Sequence, residues 1–219
     1  MPKDRSYKLL CPIARGLDRV GDRWTLLILR DLHAGPARFS GLQSGLRGIA
    51  ANLLTDRLGQ LIEDGLVTKI DAGRSGTYAL TDLGRETQAL LLELALFGAR
   101  FPAKGPVQTP GNLRTVITTL TAAAAKVAPA DLSLRVQLMV GDEPMHLSVQ
   151  NGTATGAHGV IEPADVTLET SYEALLSLTE GEMPIDIFLA EHAVISAESA
   201  AAGNDFQRLM HALLTLFSA

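Results

Sequence analysis

The stretch "GIAANLLTDRLGQLIEDGLV", residues 48–67, decides how this chain is read. Leu54, Leu58, Leu61 and Ile62 fall at the spacing of a helix with one buried side. The opposite side carries Asn52, Thr55, Gly59 and Gln60, all small or uncharged, where a surface helix usually shows lysines and glutamates. A helix that enters the major groove of DNA brings its backbone near the base edges, and a face without bulky charges permits that approach. A helix that only packs, with its polar side in water, fits the same periodicity.

Working outward, Ile13, Leu17 and Val20 mark a first helix ended by Gly21. Asp22 can cap a second, with Trp24, Leu27, Ile28 and Leu32 inside, stopped by "AGP" at 34–36. "RFSGLQ" predicts a third helix with Ser40 as N-cap, Gln43 at the capping-box position, and Phe39, Leu42 and Leu46 facing in. The quoted helix should end at a left-handed Gly65. "LVTKI" (66–70) and "TYAL" (77–80) predict a two-stranded hairpin, and Thr81 a cap on one long helix reaching about Arg100. This order is that of a winged helix-turn-helix.

"FPAKGPVQTPGN", residues 101–112, holds three prolines and two glycines without periodicity and reads as a linker. Beyond it "LSLRVQLMV" (132–140) alternates, placing Leu132, Leu134, Val136, Leu138 and Val140 on one face and Ser133, Arg135 and Gln137 on the other. Met145, Leu147 and Val149 continue the pattern, and "NG" at 151–152 signals a tight hairpin. "ADVTLET" and "AVISAES" are further strands. Ser171 caps a helix with Tyr172, Leu175, Leu176 and Leu178, and Phe206, Leu209, Met210, Leu213, Leu214 and Phe217 line a closing helix. The expected fold is therefore two domains: an α-rich winged helix-turn-helix at 1–100, a linker at 101–112, and an α+β domain at 113–219 with a mostly antiparallel sheet covered by helices.

Charge divides at the same place. Residues 1–105 hold 15 Lys and Arg against 11 Asp and Glu, whereas residues 106–219 hold 4 against 13. Only the first half suits a polyanion. The single cysteine, Cys11, excludes an internal disulfide framework and fits a reducing cytoplasm. No leader pattern and no apolar run near eighteen residues is visible, so a cytoplasmic protein with no membrane partner is expected. His33, His146, His158, His192 and His211 are scattered, with no metal-ligand spacing, and no glycine-rich phosphate loop follows a strand. Neither an enzyme nor a cofactor or metal is expected.

"CPIARGLDRVGDRWTLLILRDLHAGPARFSGLQSGLRGI", "LLTDRLGQLIEDGLV" and "YALTDLG" resemble the HxlR-type transcriptional regulators over about residues 10–90. The resemblance implies a dimeric winged-helix protein on operator DNA, with no catalytic residues. It departs from many relatives at Ala50 and Asn52, where Ser and Lys are common. The DNA-facing candidates are Arg38, Ser40 and Arg47 around the turn, Ala51, Asn52, Thr55 and Arg57 on the reading helix, and Arg74 and Ser75 at the wing tip. Cys11 matches a position that some relatives use as a redox switch; a buried thiol is the alternative. The surplus of leucine at 82–100 calls for cover by a second subunit or by the second domain, and a homodimer joined through that helix and residues 12–20 is expected.

The order from "ADVTL" through a helix ending "LTEGE" to a closing helix resembles the sterol carrier protein type 2 family over about residues 112–219. That resemblance implies an apolar cavity for a lipid or other hydrophobic small molecule, with Leu134, Val136, Leu138, Leu147, Leu176, Phe188, Phe206 and Met210 as candidate lining. A filled core that binds nothing is the alternative. The function expected is an operator-binding regulator modulated by a hydrophobic ligand; the rival is a lipid carrier whose winged domain makes protein contacts.

Overall fold

The computed structural model describes residues 6–70, 76–101, 112–179 and 182–217. The chain forms two compact units, Met1–Thr87 and Gln88–Ala219, so the division falls near the start of the helix that the sequence assigns to the first domain.

The first unit runs α1 (Pro12–Val20), α2 (Thr25–His33), β1 (Ala37–Arg38), α3 (Phe39–Gly45), α4 (Ala51–Glu63), β2 (Val67–Lys69), β3 (Thr77–Leu80) and α5 (Asp82–Arg85). Asp22 sits just ahead of α2 and accepts the N–H groups of Trp24 and Thr25. Its core joins Ile28, Leu29 and Leu32 of α2, Leu42 of α3, and Leu54, Leu58 and Leu61 of α4, with Val67 and Leu80 beneath the strands. Each such side chain withdrawn from water contributes about 1.5–3 kcal/mol, so α4 is held by three leucines on one side.

Four local expectations are corrected. The hairpin is a three-stranded sheet, order β1-β3-β2, because Ala37 and Arg38 pair antiparallel with Tyr78 and Thr77. That pairing holds Arg38 extended (φ −77°, ψ 158°), so α3 starts at Phe39 with Arg38 at its cap, and Ser40 lies inside the first turn rather than capping it. Ile62 is 40% exposed instead of buried. The long helix after Thr81 is two, α5 and then α6 (Thr87–Gly98). Thr81 Oγ1 caps α5 by accepting the Gly84 N–H at 3.0 Å. The Thr87 hydroxyl then takes the Gly84 carbonyl at 2.7 Å, while Glu86 N–H bonds three residues back to Leu83. The ladder is interrupted there. Gly84 itself is pressed onto Leu66, the residue before β2, where a Cβ would lie 2.0 Å from the carbonyl oxygen.

In the second unit α7 (Val116–Val127) precedes β4 (Ser133–Val140), β5 (Glu143–Gln150), β6 (Thr153–His158) and β7 (Val166–Thr170). Then come α8 (Tyr172–Thr179), a short α9 (Ile185–Ile187) leading into a π-helical turn at Phe188–His192, β8 (Ala193–Ala197) and α10 (Ala200–Phe217). The sheet order is β6-β5-β4-β7-β8, and only β4 and β7 are parallel. Asn151 (φ 50°) and Gly152 (φ 73°) make the tight turn between β5 and β6 that their identities predict. Ser171 caps α8 through the Ala174 N–H.

Because β6 is an edge strand and β7 lies beyond β4, residues 159–165 must cross the sheet face that β4 turns away from the apolar core. This crossing corrects the expectation for Gln137, which is 7% exposed rather than a solvent-facing polar residue. Its amide nitrogen donates to the Met145 carbonyl at 2.9 Å and the Gly159 carbonyl at 3.4 Å, and its oxygen accepts the Ile161 N–H at 2.9 Å. Arg135 grips the far end of the crossing through Asp165, with a guanidinium–carboxylate distance of 2.7 Å.

Candidate nucleic-acid interface

The interface is built on α4. Leu54, Leu58 and Leu61 fix one side in the core, which turns Ala51, Asn52, Thr55, Asp56, Gly59 and Gln60 to solvent. Its C-terminus is fixed as well: Leu66 N–H bonds to Leu61 O and Gly65 N–H to Ile62 O, with Gly65 at φ 72°. At the N-terminus, Ala50 offers no side-chain cap and no acid stands in the first turn. The first N–H groups therefore point outward without a side-chain acceptor, an arrangement that attracts an anion. The Thr55 hydroxyl donates to the Ala51 carbonyl at 2.9 Å, leaving its lone pairs outward as acceptors.

The other candidates divide. Arg38, Ser40 and Arg47 are exposed around α3 and the turn. Arg57 is half-buried and ion-paired to Asp22, Nε to Oδ1 at 3.1 Å, so its charge is partly spent inside the fold. Arg74 and Ser75 lie outside the described residues. Sequence reasoning missed Lys69, an exposed cation on β2 opposite Tyr78 at the base of the wing. The signal was present in "LVTKI", where Val67 is the buried member and Lys69 follows it toward the tip. Arg23, lying 5.4 Å over the Trp24 ring, is another exposed cation of this unit.

His33, at the end of α2, is held below the usual imidazole range, at about 4, first by burial and then by the charge of Arg85. It is neutral near pH 7. Since the Thr87 proton goes to Gly84 O, His33 Nε2 is the donor in their 2.9 Å contact. Cys11 is a free, exposed thiol at the start of α1, not a buried one. Leu10 (97%), Ile13 and Leu17 are exposed in the same region.

In the second unit, Leu134, Val136, Leu138, Leu147, Phe188 and Phe206 of the expected ligand lining are buried in the core, and Leu176 and Met210 are half-buried. An open cleft of about 590 Å³ lies elsewhere, among Ser133, Arg135, Ser148, Asp165, Glu198 and Asp205, and shares only Leu134 with that lining. Among the described residues no cluster of three metal-ligating side chains occurs, and no helix is long and apolar enough to cross a membrane.

The HxlR-like helix-turn-helix family matches residues 19–105. The uncharacterized HTH-type transcriptional regulator Rv3095 of Mycobacterium tuberculosis is 37% identical over 105 residues, 47% of this chain and 65% of that protein. The chain thus spans just under two thirds of the length of that relative. The uncharacterized HTH-type transcriptional regulator sll1512 of Synechocystis is 32% identical over 93 residues, 41% of this chain and 69% of the relative. Among solved structures, the reduced form of the transcriptional regulator YodB from B. subtilis matches at 26% identity and a TM-score of 0.38, covering 45% of this chain and all of that one. With the helix-turn-helix at α3–α4, the wing at β2–β3, the family match over residues 19–105 and the Synechocystis relative covered to 69% of its length, the chain belongs to the HxlR-like helix-turn-helix family.

Proposed function

We propose that the chain is a transcriptional regulator that reads operator DNA with α4 in the major groove. The observation that carries this reading is the solvent-facing side of α4, where Asn52, Thr55, Gly59 and Gln60 stand opposite three buried leucines. Asn52 pairs with a base edge, Thr55 accepts from a base amino group, and the open helix N-terminus receives a phosphate. Arg38, Arg47 and Lys69 hold the backbone on either side, and Arg74 and Ser75 add to those contacts. Two copies bind together, joined by the exposed apolar side chains Leu10, Ile13 and Leu17 and by Leu90, Leu94 and Phe97 of α6. Such a role places the protein in the cytoplasm.

A hydrophobic small molecule that modulates this binding is admitted, in this reading, at Leu176 and Met210, the half-buried members of the apolar lining. It can act only by favouring one of the DNA-competent and incompetent states over the other.

The test is selection of duplexes from a random-sequence pool by the full chain, followed by titration of the selected duplex. Recovery of a two-fold symmetric site supports the reading. Enrichment of nothing, with fatty acids retained by the protein, favours the lipid carrier instead.

A further inference from the structure

β8 is the edge of the five-stranded sheet, and its own sequence carries no guard. Its sequence, Ala193-Val194-Ile195-Ser196-Ala197, has no charge and no proline, the usual devices against edge pairing. Val194 is 68% exposed and Ile195 38%. Among the described residues none hydrogen-bonds to the outer side of this strand.

The direction of its free groups follows from the ladder. Thr170 O accepts from Gly141 at the end of β4, so Val166, Leu168 and Thr170 turn their backbone toward β4. Thr167 and Glu169 therefore face β8, where the register opposes them to Ser196 and Val194; Asp165 O likewise accepts from Glu198 N–H. Alternation leaves the N–H and C=O of Ala193, Ile195 and Ala197 on the open side. These three residues are symmetric about Ile195. A second β8 laid antiparallel would oppose Ala193 to Ala197, Ile195 to Ile195, and Val194 to Ser196, forming six backbone hydrogen bonds around a two-fold axis.

The flanks identify the occupant. Exposed His192 precedes the strand and exposed Glu198 follows it, so an antiparallel copy brings the imidazole end of each strand to the carboxylate end of the other. A ring N–H of His192 can donate to that carboxylate, with or without a proton added to the ring. We propose that the β8 edges of two copies of this chain pair antiparallel about Ile195, joining their sheets into one of ten strands.

This pairing goes beyond the DNA-reading function and does not depend on the winged unit. A five-residue strand pair falls below the roughly 1,200 Å² of a stable interface, so trapping detects it better than mass does. The full chain carrying Cys11→Ser and Ile195→Cys is oxidised mildly and its covalent dimer followed on non-reducing gels. Opposed bonded residues have Cα atoms about 5.5 Å apart, within disulfide reach. Thr153→Cys, on the opposite edge strand, is the control.

The expected result is cross-linking of the Ile195→Cys chain about tenfold faster than the control. Adding Val194→Lys with Ser196→Lys, which sets like charges across the axis, should slow it about tenfold, and Val194→Lys with Ser196→Glu should restore it. These two side chains lie in solvent, so the substitutions leave the fold intact. Cross-linking no faster than the control, or indifferent to the charge exchange, overturns the proposal and leaves the edge to a strand of another protein. DNA binding is measured separately, so its loss or retention does not bear on this outcome.

Discussion

Asn52 on α4 and Gln137 on β4 stand at equivalent places in their patterns, each a neutral amide on the side opposite a row of leucines or valines. On α4 that side faces solvent, whereas on β4 Gln137 is buried beneath residues 159–165. Periodicity tells which side of an element turns away from its own core. It does not tell whether another part of the chain comes to cover that side. The uncovered amide is free to read a partner, and the covered one ties down the crossing connection.

Substitutions can break or sharpen this contrast. The largest effect is expected at the base of α4, where Leu58→Ala should cost about 2–5 kcal/mol in denaturant unfolding of the first unit by opening a cavity among Leu54, Leu61 and α2. A cost under about 1 kcal/mol would mean that α4 is not anchored as described.

Next is the covered amide. Gln137→Leu removes the partners of Gly159 O, Met145 O and Ile161 N–H, and each buried group left unpaired costs about 1–3 kcal/mol. Hydrogen exchange at Ile161 should accelerate in the same variant. An unchanged rate there would show that the amide does not hold the crossing.

His33 gives a pH-dependent effect of intermediate size. Its folded value of about 4 lies below the model-peptide 6.5, so between those values the unfolded chain binds more protons than the folded one. Stability of the first unit should rise as pH increases from 4 to 6.5 and level off above, by about 1–2 kcal/mol after allowing for the ring's partial contact with water. His33→Gln should flatten that rise. The smallest change is expected at the uncovered side, where Gln60→Ala should leave stability within about 0.5 kcal/mol.

The helix-turn-helix was legible because α3 and α4 each pack one face on a shared core, and that face repeats in the sequence. The β4–β5 hairpin partners and the Asn151-Gly152 turn were legible for the same local reason. What escaped was decided at a distance. β1 is two residues long, too short for any period, and exists only because β3 lies beside it. Its pairing in turn moves the start of α3 ahead of Ser40. The break at Glu86 comes from the Thr87 hydroxyl capturing the Gly84 carbonyl, with His33 behind it from 54 residues away. Of the candidate interface, the α4 residues followed from periodicity, whereas the pairing of Arg57 with Asp22 depends on how α4 crosses the start of α2.

The central claim is that the uncovered face of α4 reads DNA. The most direct measurement is fluorescence anisotropy of a selected duplex titrated with the full chain and with Asn52→Ala, at several salt concentrations. The account predicts that Asn52→Ala loses about 1–3 kcal/mol of affinity for the selected duplex, keeps its affinity for scrambled DNA, and leaves the salt slope unchanged. Equal affinity of both proteins for the selected duplex at every salt concentration would contradict it.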